Sequence, residues 1–354
     1  MSLLSNADKD HLMQQRLIVP IDFSSIQRVP ESHIGAQCFD DSKINPDNEK
    51  SGASISIPII DLEDPKALGL IFNVCETWGM FQVINHGVSK ELLDQVEFQT
   101  KKLFNLPFEK KMKVLRAPGE DTGYGYPRLA LFFSKQMWNE GFTIMGNSYH
   151  HHPKKLWPNS FESFCEVIFE YQTKMNDLGD KLKSLIFKSL NIPTPEEATL
   201  KDHNYAIHLN SYPPCPDSSQ TMGIGPHTDT LLFTILHQSG NASGLQVYKD
   251  EFGSGWVSFN PHPGALVVNV ADLLHIISNV RFPSAIHRAV VNNKQKQRLS
   301  FAYFYGLPVD FEVSPFLDYP NCEGLKFKPI KVKEYAILKL KYLDLALSFV
   351  RKSG

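Results

Sequence analysis

The stretch GPHTDTLLFTIL, residues 225–236, places His227 and Asp229 one residue apart at the start of an apolar run. The run itself predicts a buried β-strand. Residues two positions apart on a strand point to the same face of the sheet, so these two side chains face one way. Two interpretations follow: the pair binds a metal ion, or it merely ends the strand in polar residues.

The sequence that surrounds this stretch is rich in short β-type runs from about residue 204 onward. Gly, Pro, Asn and Asp separate the runs, a pattern typical of an antiparallel sandwich or barrel. The runs are AIHLNSY, LLFTIL, GLQVYK, GWVSF, GALVVNV, AIHRAVV and RLSFAYFYG. The second half of the chain is therefore predicted to form a β core.

Helical patterns dominate the first half of the chain. The alternating segment SISIPIIDL, residues 54–62, predicts a short strand, and Asp64-Pro65 then predicts the start of a helix. Ser89 is the predicted N-cap of a second amphipathic helix. The longest helical pattern covers residues 161–190, and helical character returns over residues 332–349.

A candidate for a third metal ligand, His287, lies in the predicted strand AIHRAVV, among apolar residues where a histidine needs a partner to be buried. Two histidines and one carboxylate commonly hold non-haem Fe(II) and leave three coordination positions open. His275 is a rival third ligand, although its surroundings in DLLHIISN indicate a helix. The pattern therefore predicts an iron site at His227, Asp229 and His287.

Arg298 and Ser300 also share one face of a predicted strand, at the start of RLSFAYFYG. A guanidinium pairs bidentately with a carboxylate, and a serine hydroxyl adds a further hydrogen bond. The pair predicts a receptor for the distal carboxylate of a dicarboxylic acid such as 2-oxoglutarate. The alternative interpretation is a surface arginine that follows NNKQKQ in a charged hairpin turn.

These motifs and their order resemble the plant branch of the 2-oxoglutarate and Fe(II)-dependent dioxygenases. The segments that carry the resemblance are IPIIDL, CETWGMFQVINHGV, LNSYPPCP, HTDTLLFTIL, GLQVYKD, GALVVNVADLLHIISN, IHRAVVN and RLSFAYFYG. The resemblance implies a mainly β or α+β fold. Its core would be a distorted double-stranded β-helix, or jelly roll, braced by N-terminal helices and a C-terminal helix.

The resemblance also implies how the site works. The three predicted ligands would hold Fe(II), while Arg298 and Ser300 would hold the distal carboxylate of 2-oxoglutarate. Tyr212, in NSYPPCP, would add a hydroxyl to that carboxylate, and Asn210 would lie near the cosubstrate. The second cosubstrate would be O2, with ascorbate as a stimulant. The implied reaction hydroxylates an unactivated C–H bond and releases succinate and CO2.

Within this family the chain resembles the gibberellin 3-oxidases, on GYGYPRLALFFSKQMWNEGFTI, KKLWP and PFEKKMKVLRAP. This resemblance implies a gibberellin-type diterpenoid acid as the small-molecule substrate, with 3β-hydroxylation favoured. The candidate pocket residues are Tyr124, Arg128, Trp138 and Phe142, and the alternative for the aromatic ones is ordinary core packing. The chain departs from the group where glycine is replaced, in the dipeptides Ala271-Asp272 and Asn279-Val280.

Four regions are expected along the chain. Residues 1–53 would form an irregular arm, residues 54–200 a helical region, residues 201–311 the jelly-roll core that holds Fe(II) and 2-oxoglutarate, and residues 312–354 a C-terminal helical segment.

Composition argues against several other classes of protein. The net charge of −2 and the lack of a basic run argue against nucleic-acid binding. The five cysteines are scattered and form no Cys-x-x-Cys motif. No run approaches the roughly 20 apolar residues of a membrane span, and charges interrupt the N-terminal residues where a signal peptide would be apolar. We expect a cytoplasmic, monomeric enzyme that binds neither nucleic acid nor membrane.

Three alternatives stay open. The chain could be another dioxygenase of this branch: a gibberellin 2-oxidase or other gibberellin oxidase, a desaturase, or an oxidase of a phenolic or indole compound. The same ligands could hold zinc and activate water, although a hydrolase has no use for the Arg298–Ser300 pair. Finally, the chain could be a catalytically silent hormone-binding protein, which the intact set of ligands argues against.

Overall fold

The computed structural model describes residues 18–35, 57–146, 148–192, 204–240, 244–250, 255–258, 261–291, 296–316 and 324–352. Only residues 18–35 of the predicted arm fall within these ranges. This segment contains one 3-10 turn, Phe23–Ser25, and it packs on the body where Val29 joins a small cluster with Trp138 and Cys215. The rest of the arm lies outside the described residues.

The helices fall mainly before the β core and after it. They are α1 Ala67–Thr77, α2 Lys90–Phe104, α3 Phe108–Met112, α4 His151–Leu156, α5 Glu162–Ser189, α6 Asp272–Ile277, α7 Val332–Tyr342 and α8 Ala346–Val350.

The strands are β1 Ile59–Asp61, β2 Met80–Ile84, β3 Gly123–Gly125, β4 Glu140–Met145, β5 Tyr205–Tyr212, β6 Ile224–His227, β7 Phe233–Gln238, β8 Leu245–Lys249, β9 Gly255–Ser258, β10 Leu266–Val270, β11 His287–Ala289, β12 Arg298–Tyr305, β13 Glu312–Val313 and β14 Ile330–Lys331.

Two sheets build the core. The major sheet has eight of the described strands in the order β1-β2-β10-β7-β12-β5-β4-β3, and the minor sheet has the order β6-β11-β8-β9. Every pairing within them is antiparallel except that of β1 with β2. Helices flank the core at both ends of the chain, so the predicted jelly-roll fold is confirmed.

Most of the predicted elements agree with the structure. The helix predicted over residues 161–190 is α5, and the side chain of Ser89 caps α2 as predicted. The helix start predicted at Asp64-Pro65 is wrong, because α1 begins at Ala67. Asp64 Oδ1 instead accepts a hydrogen bond from the backbone N–H two residues later, which holds a turn ahead of the helix.

Helix α5 packs against the back of the major sheet at an unusually close contact. A Cβ atom built on Gly179 would lie 2.3 Å from the ring of Tyr305 on β12. The neighbouring Asp180 accepts a 2.5 Å hydrogen bond from the Tyr305 hydroxyl. The missing side chain therefore lets the longest helix lie directly on the strand that carries Arg298.

The two dipeptides that depart from the family pattern lie at the ends of α6. Ala271 has φ −115°, which any residue adopts, so glycine is not needed there. Asn279 and Val280 have φ values of 50° and 72°. A β-branched residue is strained in this left-handed region, whereas glycine is not. The second departure therefore puts strain just after α6.

Candidate active site

The three predicted metal ligands come together on the minor sheet. His227 ends β6 and His287 begins β11, and the two residues are direct cross-strand partners. Asp229 follows β6 after one intervening residue. One potential ligand atom from each side chain lies within 4.8 Å of the others. All three residues are at most 9% exposed, so the cluster is a buried pocket of nitrogen and oxygen donors rather than polar residues at the surface.

Hydrogen bonds orient both imidazole rings toward Asp229. Nδ1 of His227 lies 2.9 Å from the Gly225 carbonyl oxygen, and Nδ1 of His287 lies 2.9 Å from that of Ala285. Each Nδ1–H donates to its carbonyl, which leaves the Nε2 lone pair available. Nε2 of His227 lies 3.6 Å from Asp229 Oδ1, and Nε2 of His287 lies 3.8 Å from Asp229 Oδ2. Burial, reinforced by the nearby His287, lowers the pKa of His227 to about 4, so this ring is neutral at pH 7.

The carboxylate of Asp229 is fixed by two donors on the facing sheet. Thr234 Oγ1 on β7 donates to Asp229 Oδ2 at 2.5 Å, and Asn269 Nδ2 on β10 donates to the same oxygen at 2.8 Å. Oδ2 is thereby tied to the major sheet, whereas Oδ1 faces His227. Such supporting hydrogen bonds hold a ligand in its coordinating orientation.

A buried cation lies on the major sheet at the predicted cosubstrate position. Arg298 on β12 is the cross-strand partner of Tyr212 on β5, and Ser300 is the partner of Asn210. All four residues are buried. The Arg298 guanidinium carbon lies 4.7 Å from the centre of the Tyr212 ring. The β pairing therefore gathers the four predicted residues into one patch.

The guanidinium of Arg298 is only partly satisfied. Its Nη2 donates to Gln238 Oε1 at 2.6 Å, whereas Nε and Nη1 are buried without a hydrogen-bond partner among the described residues. Burial lowers the pKa of Arg298, and Tyr212 acts in the opposite direction. Burying a cation with unused donors costs free energy unless an anion accepts hydrogen bonds from those donors. This observation fits a carboxylate ligand.

One cavity of about 300 Å³ connects the two patches. Its floor is one face of the major sheet, where alternate residues of β5 and β12 point inward, and its wall includes the three metal ligands. Apart from these polar groups, the lining is mainly apolar. Leu129, Phe132, Met145 and Leu340 contribute to it. Helix α7 closes one side of the cavity.

The predicted pocket residues have different positions. Arg128 lines the cavity and pairs with Asp121 at 2.6 Å. Tyr124, Trp138 and Phe142 are fully buried and do not line it. Tyr124 and Phe142 are cross-strand partners that share the opposite face of the sheet. Trp138 donates its indole N–H to a backbone carbonyl at 3.0 Å. The structure thus gives the core-packing alternative for all three aromatic residues.

The rival ligand His275 lies on α6, as its surroundings indicated. Its Nδ1 is 2.9 Å from the carbonyl oxygen of Phe282, and its ring meets Phe327 edge-on at 5.5 Å. The metal-ligand cluster found in the described residues does not include it. His275 is therefore a hydrogen-bonded packing residue.

Several polar residues of the cavity were missed by the sequence interpretation. Arg116, Thr143 and His208 lie together in the cavity wall. Lys339 on α7 lines the cavity as well. The sequence of β4 does not mark Thr143, because neither alternate set of its residues is consistently polar or apolar. No local pattern marked Arg116, which lies between α3 and β3.

Comparison with known proteins accounts for this architecture. Residues 203–307 match the 2OG-Fe(II) oxygenase superfamily. Residues 57–161 match the family described as the N-terminal region of a non-haem dioxygenase in morphine synthesis. The chain belongs to the 2OG-Fe(II) oxygenase superfamily. It is therefore an oxidoreductase of the dioxygenase class that uses Fe(II) and 2-oxoglutarate, and the N/O donor set and the incomplete guanidinium described above fit both groups.

Relatives of known name match over most of the chain. Gibberellin 3-beta-dioxygenase 3 of Arabidopsis thaliana is 38% identical, covering 99% of this chain and 100% of its own length. Gibberellin 3-beta-dioxygenase 1 of Pisum sativum is 40% identical, covering 93% and 89%. Among solved structures, JOX2 in complex with 2OG, Fe and JA is 27% identical with a TM-score of 0.74, covering 95% of this chain and 94% of its own. In the described part of the chain, no helix is long and apolar enough to cross a membrane.

Proposed function

We propose that this enzyme hydroxylates an unactivated C–H bond of a gibberellin-type diterpenoid acid, with the 3β position favoured. The observation that carries the proposal is the 36–41% identity to relatives named gibberellin 3-beta-dioxygenase. A largely apolar cavity that joins the ligand cluster to a buried guanidinium suits such a substrate. One oxygen atom of O2 enters the substrate and the other enters succinate, while 2-oxoglutarate loses CO2.

Residue roles follow from the geometry of the cavity. His227, Asp229 and His287 would hold the iron. When bound, iron and 2-oxoglutarate together supply the oxidising chemistry. The distal carboxylate of 2-oxoglutarate would accept hydrogen bonds from the unused donors of Arg298, and the Ser300 hydroxyl would donate a further one.

Two further residues extend this receptor on β5. The Tyr212 ring covers the Arg298 guanidinium, and its hydroxyl would reach the same carboxylate. Asn210, whose Oδ1 is buried without a partner among the described residues, would lie beside the cosubstrate. The apolar lining of the cavity excludes water from the reacting C–H bond.

The proposal is tested by a substrate screen with purified enzyme, Fe(II), ascorbate as the expected stimulant and labelled 2-oxoglutarate. We expect succinate in equal amount to a gibberellin that has gained one oxygen, with NMR placing the hydroxyl at 3β. Hydroxylation at 2β would replace the 3β assignment. Succinate formed with a panel of other acids, but not with any gibberellin, would overturn the substrate assignment and keep the reaction class.

Two variants test the residue roles separately. His287→Ala removes a ligand, so we expect loss of both metal binding and turnover. Arg298→Gln removes the charge-assisted bonds to 2-oxoglutarate, each worth about 1.5–3 kcal/mol, so the KM for 2-oxoglutarate should rise at least 10-fold while metal affinity stays unchanged. If both variants remained fully active, the site would be located elsewhere.

Oxidation of another small plant acid is the second candidate. The likeness to the JOX2 complex with 2OG, Fe and JA favours it, and the same screen includes JA and indole acids. A zinc hydrolase would release product without consuming 2-oxoglutarate. A silent binding protein would bind gibberellin without forming succinate. We also propose that the enzyme is monomeric and cytoplasmic and binds no nucleic acid, which light scattering, imaging of a tagged chain and a gel-shift assay would test.

A further inference from the structure

A second arginine, Arg116, lies in the wall of the cavity without a carboxylate partner. Its Nη1 donates to Thr143 Oγ1 at 3.1 Å, and its Nη2 donates to the backbone carbonyl of Tyr126. No carboxylate among the described residues lies within ion-pair distance of it. A guanidinium has five N–H donors, so an edge remains for a ligand in the cavity.

The main chain around Arg116 is held rigidly by β3. Arg116 N donates to Tyr124 O at 2.8 Å, and Tyr124 N donates to Val114 O at 2.8 Å. Gly123 makes this pairing possible, because its φ is +117° and a Cβ built there would lie 2.7 Å from Val114 O. The glycine therefore lets the segment that carries Arg116 lie against the edge of the major sheet.

The side chain of Arg116 is oriented through β4 and β5. Thr143 and His208 are cross-strand partners, and Thr143 Oγ1 lies 2.7 Å from His208 Nδ1. Burial, followed by the charge of Arg116, lowers the pKa of His208 to about 3. The ring is therefore neutral at pH 7, and the Thr143 hydroxyl oxygen, which accepts from Arg116, is held beside His208 Nδ1. The guanidinium is thus positioned before any ligand binds.

Two other cations that line the cavity are neutralised by carboxylates. Arg128 forms an ion pair with Asp121 at 2.6 Å. Lys339 lies 2.8 Å from a carboxylate oxygen of each of Asp272 and Asp344. The Arg116 end of the cavity therefore carries an excess positive charge, next to apolar walls.

We infer that Arg116, oriented by Thr143, receives the carboxylate of the substrate, and that the substrate is an apolar-bodied monocarboxylic acid. This inference rests on the proposed function and deepens it. His208 lies four residues from Tyr212 along β5, which is about 13 Å at the usual rise per residue. The substrate and 2-oxoglutarate would thus be held by different arginines, at separate ends of one cavity whose wall carries the metal ligands.

Substrate binding without turnover tests this inference. Enzyme loaded with Mn(II) and 2-oxoglutarate under nitrogen is titrated, by calorimetry, with a gibberellin monocarboxylic acid and with its methyl ester. We expect the wild type to prefer the acid by roughly 10- to 100-fold, as charge-assisted hydrogen bonds provide. Arg116→Gln should bind acid and ester equally, at unchanged affinity for 2-oxoglutarate. An unaltered acid preference in this variant would overturn the inference.

Three further variants separate the role of Arg116 from the roles of its neighbours and of other arginines. Thr143→Val leaves the charge in place and should lose part of the preference, which keeps the inference testable if Arg116→Gln folds poorly. Arg281→Gln, which breaks an exposed ion pair with Glu76, should behave as wild type. Loss of the acid preference in Arg128→Gln instead would reassign the carboxylate to Arg128 and overturn the inference.

The same titration separates this inference from the proposed function. If the wild type bound no gibberellin, the proposed substrate would fail, and the acid–ester comparison would pass to JA and indole-3-acetic acid. Preference for the acid form of either, lost in Arg116→Gln, would support the inference by itself. Binding of no acid in the panel would overturn both.

Discussion

Replacing Lys339 with methionine should destabilise the enzyme more than any comparable change on the same helix. Nζ of Lys339 on α7 donates to Thr228 Oγ1 at 2.6 Å and to Asp272 and Asp344 at 2.8 Å each. Burial by itself lowers the pKa of Lys339, but the two carboxylates outweigh it and raise the pKa overall. The ammonium is therefore charged, and it ties the C-terminal helix to the residue between His227 and Asp229.

The magnitude follows from what the substitution leaves behind. Breaking a buried ion pair by removing one partner costs about 3–5 kcal/mol. The lower end applies here, because the fully buried Asp272 keeps 2.7 Å hydrogen bonds from Ser284 and Tyr335. Unfolding entropy of about 2.1 cal/mol/K per residue amounts to about 0.7 kcal/mol/K for 354 residues, so a loss of about 3 kcal/mol lowers Tm by about 4 °C.

Urea unfolding and calorimetry would measure this change, and α7 itself provides the control. Lys333 pairs with Asp310 at 2.6 Å on the surface of the same helix. Lys333→Met removes the same charge from an exposed position, and it should leave the urea midpoint unchanged. We also expect Lys339→Met to accelerate hydrogen exchange in α7. Equal urea midpoints for the two variants would refute the assigned role of the buried network.

Three other predictions concern separate parts of the molecule. Asn269→Leu removes a donor to Asp229 and should weaken Co(II) binding about 10- to 100-fold by calorimetry; an unchanged affinity would contradict the positioning role. Gly179→Ala should lower the free energy of unfolding in urea by about 1–3 kcal/mol, because its methyl group would meet the Tyr305 ring on β12. Its control is Gly69→Ala on an exposed face of α1, where nothing lies within 4 Å, and this variant should raise the free energy of unfolding by about 0.5–1 kcal/mol. Burial lowers the pKa of His33 from 6.5 to about 4. Between these pH values the unfolded chain takes up a proton at His33 and the folded chain does not, so the free energy of unfolding falls as the pH falls. His33→Gln should make that decline shallower in urea titrations at successive pH values.

Much of the fold could be predicted because its signals are local. The pattern over residues 161–190 predicted α5, and the side chain of Ser89 marked the start of α2. The runs separated by turn residues indicated the β core. The order of strands within each sheet could not be predicted, since pairs such as β2 with β10 join distant parts of the chain and depend on packing. The start of α1 was misplaced because an Asp-Pro pair serves a turn as well as a helix.

The ligand set was predictable for a different reason. The two-residue period of a strand is enough to place His227 and Asp229 on one face. The same period places Arg298 and Ser300 on one face. Pairing then brings β6 next to β11 and β5 next to β12, so short patterns on adjacent strands add up to one site. No such periodic pattern points to Arg116, because it lies in an irregular segment whose position is set by its hydrogen bonds to β3.

The aromatic residues that were predicted to line the pocket, but do not, show what determines which side chains reach the cavity. On β4, Thr143 and Met145 line the cavity, whereas Phe142 faces the core, although all three lie within four residues. Side chains of successive strand residues point to opposite faces, so the parity of a residue matters more than its size or aromatic character. The sequence of β4 alone does not say which of its residues face the cavity. Both faces of this strand are covered, and its residues do not alternate between polar and apolar. The cross-strand pairing of Thr143 with His208 fixes this choice, and the same pairing places the Thr143 hydroxyl beside Arg116. The proposed recognition of the substrate carboxylate therefore depends on strand register, which a local sequence pattern does not contain.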